Sequence, residues 1–365
     1  MSSSNGRLRE ISRVFFKLGC IAFGGPAVHI ALMEEEVVRK RQWMTHEHFL
    51  DLVGATNLIP GPNSTEMAMH CGHERAGRKG LFLAGICFIV PAVLITLIFA
   101  WLYTIYGTLP NAEPFLYGIR PAVLAVIASA VFKLGQKAVK SAELAALGLV
   151  VLTASLLGVN ELAALLGAGI LGTVYFRGKN FLRDGKLFSV APLLPLAIFW
   201  KFLKVGSILY GSGYVLFAYL DAELVRAGWL TRQQLMDAVA VGQFTPGPVL
   251  SSAAFIGYQL NGLTGALLAT LGIFLPSFLL VLWLNPLIPK MRQSKLMAEF
   301  LDCVNVAAVA VMGSVLLKMG QSALQDWRAL TVAALSILTV FRFKKLNSVW
   351  VMLGGALAGY LLRLI

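Results

Sequence analysis

The chain carries 365 residues, 58% of them hydrophobic and only 13% charged, with a formal net charge of +13. A mean hydropathy of +0.75 excludes a soluble globular domain and places the chain among polytopic α-helical membrane proteins. Its basic residues cluster in short loops between apolar runs, where positive charge sets membrane orientation, and this excludes nucleic acid as a partner.

About 20 apolar residues are needed to cross a bilayer. By that measure the first half is predicted to span at 11–32, 80–106, 115–136, 141–158 and 160–176, and the second at 202–220, 263–287, 299–319, 327–341 and 347–364. No cleavable signal precedes the first run, so a retained N-terminus is expected. Two stretches are left over, 46–75 and 232–261, each reading as two short helical pieces that meet at Pro-Gly-Pro: Pro60-Gly61-Pro62 and Pro246-Gly247-Pro248. Neither piece is long enough to span, so both stretches are predicted as re-entrant hairpins, which a bilayer tolerates only when they are buried in protein or line a cavity.

The halves match at near-constant offsets. Adding 187 to Phe15, Lys17, Gly19, Gly24, Glu34, Glu36 and Arg39 gives Phe202, Lys204, Gly206, Gly211, Asp221, Glu223 and Arg226. Adding 186 to Trp43, Thr45, Asp51 and the first Pro-Gly-Pro gives Trp229, Thr231, Asp237 and the second; adding 185 to Gly72, Gly77, Gly80 and Pro91 gives Gly257, Gly262, Gly265 and Pro276. Such coincidences define an internal repeat, with an N-terminal unit over 1–190 and a C-terminal unit over 191–365. Five crossings per unit is odd, which inverts the second unit relative to the first. Loop charge follows: Arg39, Lys40, Arg41, Arg75, Arg78 and Lys79 flank the first hairpin, against Arg226 and Arg232 at the second, whereas Lys290, Arg292 and Lys295 have no basic counterpart near 107–114. Arg7, Arg9 and Arg13 fit that orientation poorly. The expected fold is an all-α polytopic membrane protein of two homologous, inverted repeats, each with about five transmembrane helices and a hairpin broken at Pro-Gly-Pro.

The run Phe15-Phe-Lys-Leu-Gly-Cys-Ile-Ala-Phe-Gly-Gly-Pro26, the downstream Trp43-Met-Thr and Pro60-Gly-Pro62, and their copies from Phe202 and at Pro246 resemble the chromate ion transporter family in its long two-repeat form. The resemblance covers both repeat cores, 15–106 and 202–287; the trailing helix pairs match only in hydropathy. The second copy departs from the first, since Gly24-Gly25-Pro26 becomes Gly211-Ser212-Gly213. The resemblance implies transport of chromate, and of the similar sulfate, across the cell inner membrane, usually outward for resistance.

The residues themselves suit an anion site. An oxyanion must exchange its water for donors, and a helix that starts at membrane depth offers unpaired amides and the positive end of its dipole. Pro62 and Pro248 suit a first helical turn, and Gly61 and Gly247 permit close backbone approach, with Pro60 and Pro246 completing the breaks. Asn63 and Ser64, against Ser251 in the copy, add side-chain donors. Gly24, Gly25 and Pro26 are expected to unwind the first span and face the hairpin tip, with tight packing through small residues the competing reading, favoured at Gly211. Lys17 and Lys204 read as anion contacts or as lysines snorkelling to the interface. Asn57 and Gln243 read as amide donors to the anion or as helix-to-helix bonds. Glu66, an acid inside an apolar piece with no acidic counterpart, and Arg120 are the proton-coupling candidates, with Arg120 alternatively attracting anions or pairing with a carboxylate such as Asp302.

His46, His48, His70 and His73 resemble a metal cluster in composition only; they lack a second-half copy and are read as surface histidines, with no metal or cofactor expected. Glu34, Glu35 and Glu36 facing Arg39, Lys40 and Arg41 read as a solvated loop. Cys20, Cys71, Cys87 and Cys303 have no paired spacing and read as packing residues. The expected partners are the chromate or sulfate oxyanion and the lipid bilayer, with a homodimer left open. The alternatives are a carrier of another small inorganic anion and, from a different class, a membrane enzyme acting on a lipid phosphate, for which neither a nucleophile–base pair nor an acidic metal pair is found.

Overall fold

A computed structural model of the chain describes residues 4–23, 26–56, 59–107, 113–159, 163–165, 167–170, 172, 194–209, 215–284, 295–343, 346 and 348–363. Among them every regular element is helical. The first unit runs α1 (Ser4–Ile21), α2 (Pro26–Glu34) with a π-helical turn at Glu35–Lys40, α3 (His46–Thr56), α4 (Asn63–Tyr106), α5 (Glu113–Ala138) and α6 (Ala142–Leu156). The second runs α7 (Leu194–Ile208), α8 (Val215–Leu220) with a π-helical turn at Asp221–Val225, α9 (Arg232–Phe244), a 3₁₀ turn at Val249–Ser251, α10 (Ser252–Leu284), α11 (Lys295–Ala323), α12 (Trp327–Arg342) and α13 (Ser348–Arg363). The helices α1 to α6 and α7 to α12 come in the same order, down to the π-helical turns.

The repeat reaches further than the motifs did. At offset 185, Phe115, Lys133 and Gln136 of α5 fall on Phe300, Lys318 and Gln321 of α11. Ser141 caps α6 by accepting from the Leu144 amide, and Asp326, 185 residues on, caps α12 by accepting from the Ala329 amide. The trailing helices are therefore repeated in detail and not in hydropathy alone.

Among the described residues four stretches are long and apolar enough to cross a membrane: Asn63–Tyr106, Pro114–Ala138, Val249–Trp283 and Glu299–Ala323. They leave Ile98, Leu271 and Trp283 exposed, as lipid-facing residues are. The 44 residues of α4 are not one rod. Ala76 and Gly77 leave helical geometry, Gly77 at φ +61°, and α10 does the same at Asn261 and Gly262, φ +55°. The helical pieces on either side fold back on each other, for a β-carbon on Gly72 or Gly257 would collide with the carbonyl of Gly80 or Gly265. In lipid there is no hydrophobic drive to bring helices together, so close approach through small residues carries the packing. The predicted span at 80–106, and that at 263–287 as far as Leu284, stand as the second arms of these corners.

Two predicted spans are interrupted. The one at 11–32 ends as helix at Ile21 and resumes at Pro26; its copy at 202–220 ends at Ile208 and resumes at Val215. The span at 160–176 lies largely outside the described residues. The units also interlock: α4 packs on α10, with Phe82 and Phe278 stacked at 5.6 Å, and α5 lies on α12 and α13 as α11 lies on α6. Gly118 of α5 admits the backbone of Gly355 and Gly359 of α13. The main core accordingly draws on both halves, with Ile127, Phe217 and Met312 among its members.

Candidate functional site

Each Pro-Gly-Pro forms the tip between two helices, the first between α3 and α4 and the second between α9 and the 3₁₀ turn that opens α10. Pro62 and Pro248 stand at the cap position, with extended backbone, one residue earlier than the first turn for which the sequence argued. The Pro62 carbonyl accepts from the amides of Thr65 and Glu66 at 2.8 and 3.0 Å, and the Pro248 carbonyl from Ser251 at 2.9 Å.

The glycines bind across the repeat. The Gly61 amide donates to the Leu209 carbonyl at 2.6 Å, and the Gly247 amide to the Ala22 carbonyl at 2.8 Å. Ala22 plus 187 is Leu209, so the two bonds are the same bond made twice, each fastening one unit's tip to the interrupted first helix of the other. Ala22, just past the end of α1, thus meets Gly247, and the amides of both tip glycines are engaged. Gly24, Gly25, Asn57 and Gly211 lie outside the described residues; Pro26 is half-buried at the start of α2.

The tips differ in chemistry. Beside Gly61, at φ +146°, stand the Glu66 carboxyl and the Ser277 hydroxyl, so near that a β-carbon on the glycine would strike both. Glu66 is 0% exposed, and neither of its oxygens meets a hydrogen-bonding partner of standard geometry among the described residues. A β-carbon on Gly247 would come nearest to the Ala92 side chain and the backbone of Gly19 and Phe88. There Ser251, in the place of Glu66, accepts from the Thr96 hydroxyl at 3.1 Å, and Thr96 also approaches Thr245 at 3.4 Å. Gln243 accepts from Ser348 at 3.2 Å, and Ser64 is buried in the first turn of α4.

A cleft of about 190 Å3 opens beside the first tip, lined among others by Thr56, Ile59 and Asn63, by Lys137 of α5 and Lys140 just past it, and by Asp302 and Asn305 of α11. Lys140 pairs with Asp302 at 2.7 Å. Lys137 and Asn305 had escaped sequence reasoning, because nothing in the chain order places the ends of α5 and α11 beside residue 63.

Arg120 pairs with Asp237 and not with Asp302. Its Nε and Nη2 reach the two carboxylate oxygens at 2.9 and 3.0 Å, and the Tyr103 hydroxyl donates to the same carboxylate at 2.8 Å. Asp237 is 1% exposed. The cluster joins α4 and α5 of one unit to the second hairpin of the other. A signal existed, since Asp237 was matched to Asp51 in the repeat without being weighed as an acid inside an apolar hairpin.

Lys17 and Lys204 are also spoken for, by the equivalent acids Glu36 at 3.0 Å and Glu223 at 2.6 Å. Glu36 is not the solvated residue expected but buried. Burial pushes its carboxyl up, yet hydrogen bonds from Lys17, Arg41 and Lys40 outweigh that and hold it down at about 2. His46 and His48 lie against Glu34 and Glu74 at the surface, whereas His70, read as a surface residue, is fully buried in α4. Among the described residues no three metal-ligating side chains gather.

The family model described as Chromate transporter matches twice, over residues 9–173 and 196–360. The "Probable chromate transport protein" of Synechococcus elongatus is 30% identical over 96% of this chain and 95% of its own. The "Chromate transport protein" of Cupriavidus metallidurans is 30% identical over 96% and 92%, and that of Pseudomonas aeruginosa 29% over 95% and 90%. These relatives are named as transport proteins and not as enzymes. No solved structure matches. A twofold match that follows the structural repeat from α1 to α13 makes the conclusion plain: this chain is a multi-pass membrane protein that belongs to the chromate transporter family.

Proposed function

We propose that the chain is a secondary transporter that carries chromate, and sulfate of like shape and charge, outward across the inner membrane, and that it binds the anion where the first hairpin turns into α4. The observation that carries this reading is the start of that helix at Pro60-Gly61-Pro62, with Asn63 on the wall of a 190 Å3 cleft. A helix start is a ready anion site, its first amides lacking intrahelical acceptors. The cleft corresponds to roughly six water volumes, room for a tetrahedral oxyanion that keeps part of its hydration. The names of the relatives support the same substrate class.

In this reading Gly61, Pro62, Asn63 and Ser64 shape the site. The units 1–190 and 191–365 are inverted repeats that rock against each other, exchanging the Gly61–Leu209 and Gly247–Ala22 bonds as the site changes sides. Glu66, the acid fully buried beside the first tip, carries the coupling proton. A dianion leaving a negative cytoplasm gains about 2 × 2.3 kcal/mol per 100 mV, so potential alone drives export and proton antiport adds to it.

The test is radiolabelled chromate flux in inside-out vesicles, with potential and pH gradient clamped separately. Uptake driven by an interior-positive potential is expected. Absence of chromate flux under either gradient would overturn the reading.

A further inference from the structure

We propose that the protein has a single oxyanion-recognition site, in the cleft at the first hairpin, and that Lys137 and Asn305 are its specificity-determining side chains; this rests on the reading of the chain as an oxyanion carrier. Neither residue belongs to a Pro-Gly-Pro motif.

Charge is the first argument. The cleft walls carry Lys137, Lys140 and Asp302, and the Lys140–Asp302 pair at 2.7 Å cancels itself. Lys137 faces no carboxylate within ion-pair distance among the described residues, so one net positive charge remains in the cleft. Asn305, half-buried, adds a neutral amide on the α11 wall, and the α4 start adds its dipole from the tip. One full charge, a directional amide and a helix end suit a tetrahedral dianion, whose several oxygens each take a donor, better than a halide.

The repeat supplies the second argument, because it offers a built-in comparison. At offsets 186 and 185 the equivalents of Asn63, Lys137 and Lys140 are Val249, Ser322 and Gln325, and the equivalent of Asn305 is Arg120. The second tip thus lacks the side-chain amide at its helix start and both lysines. Arg120, the equivalent of Asn305, is consumed by Asp237 in a bidentate pair that Tyr103 completes. A cation saturated in this way has no charge left for a substrate. Two tips of one ancestry have therefore diverged, the first toward binding and the second toward a fixed joint between the units.

The full chain in proteoliposomes decides this, with chromate flux measured against chromate concentration. Lys137→Gln is expected to raise the half-saturating concentration at least tenfold with maximal flux changed less than twofold, and Lys137→Arg to restore it. Asn305→Asp, nearly isosteric, sets a negative charge in the cleft and is expected to raise it at least tenfold too. Ser322→Ala, the equivalent of Lys137 at the other tip, is expected to leave it unchanged. Chromate-dependent protection against thermal unfolding in detergent reads the same affinities without transport. Unchanged half-saturation and protection in both Lys137→Gln and Asn305→Asp, beside an active unaltered chain, would overturn this inference while leaving the transport reading intact. An unaltered chain that moves no chromate would overturn both.

Discussion

The Gly61 amide lies 2.6 Å from the Leu209 carbonyl, a hydrogen bond between the hairpin tip of one repeat and the interrupted first helix of the other. Its twin joins Gly247 to Ala22 at 2.8 Å. Two equivalent bonds thus join the units. The chemistry beside the bonds is unequal, Glu66 and Ser277 at one and Thr96, Thr245 and Ser251 at the other, and it is this inequality on which the predictions turn.

Alanine at Gly61 meets a backbone at φ +146° and collides with Glu66 and Ser277; alanine at Gly247 meets φ +86° and the Ala92 side chain at 2.9 Å. Each is expected to cost about 1–3 kcal/mol and to impair flux. Thermal unfolding in detergent checks the cost. Midpoints equal to that of the unaltered chain would show that neither tip is held as described.

Removing one member of the Arg120–Asp237 pair strands a buried charge. Arg120→Gln or Asp237→Asn is expected to destabilise by about 3–5 kcal/mol, while the double replacement Arg120→Gln with Asp237→Asn loses much less than the sum. Denaturation of the three variants separates the cases, and an additive double variant would contradict the pairing.

Glu36 lies outside the spans and its carboxyl is held at about 2 by Lys17, Arg41 and Lys40. A carboxyl whose folded value is depressed stabilises the fold above its ordinary value near 4.5 and loses that contribution as pH falls toward 2. The thermal midpoint should therefore drop over that window. In Glu36→Gln the drop should be smaller, and an identical pH profile would remove Glu36 from the account.

Glu66→Gln is expected to transport chromate at a rate independent of an imposed pH gradient, with potential-driven flux retained. Flux that still follows the pH gradient would assign proton coupling elsewhere.

Lys79 and Thr264 are equivalent at offset 185, and both are exposed just past the corners at Gly77 and Gly262. Single cysteines there, in a chain otherwise free of cysteine, should label from opposite faces of intact cells if the units are inverted. Labelling of both from one face would exclude the inversion.

The sequence by itself determined the class, the repeat and the places where helices stop. Apolar runs of span length, glycine and proline at constant offset, and the two Pro-Gly-Pro breaks are local facts, because helix length, φ and the loss of an amide are decided within a few residues. It also singled out Glu66 and Arg120, since a charge in an apolar run stands out without a structure. What it left undecided was every pairing across the repeat: Gly61 to Leu209, separated by 148 positions, Arg120 to Asp237, and Lys137 and Asn305 to the first tip. A hydrogen bond or ion pair needs distance and direction, and lysine, serine or asparagine at a helix end reads alike whether it meets lipid headgroups, a carboxylate or a cleft. Only the packing of α4 on α10 and of α5 beside α11, which interlocks the two units, decides which of these each residue meets.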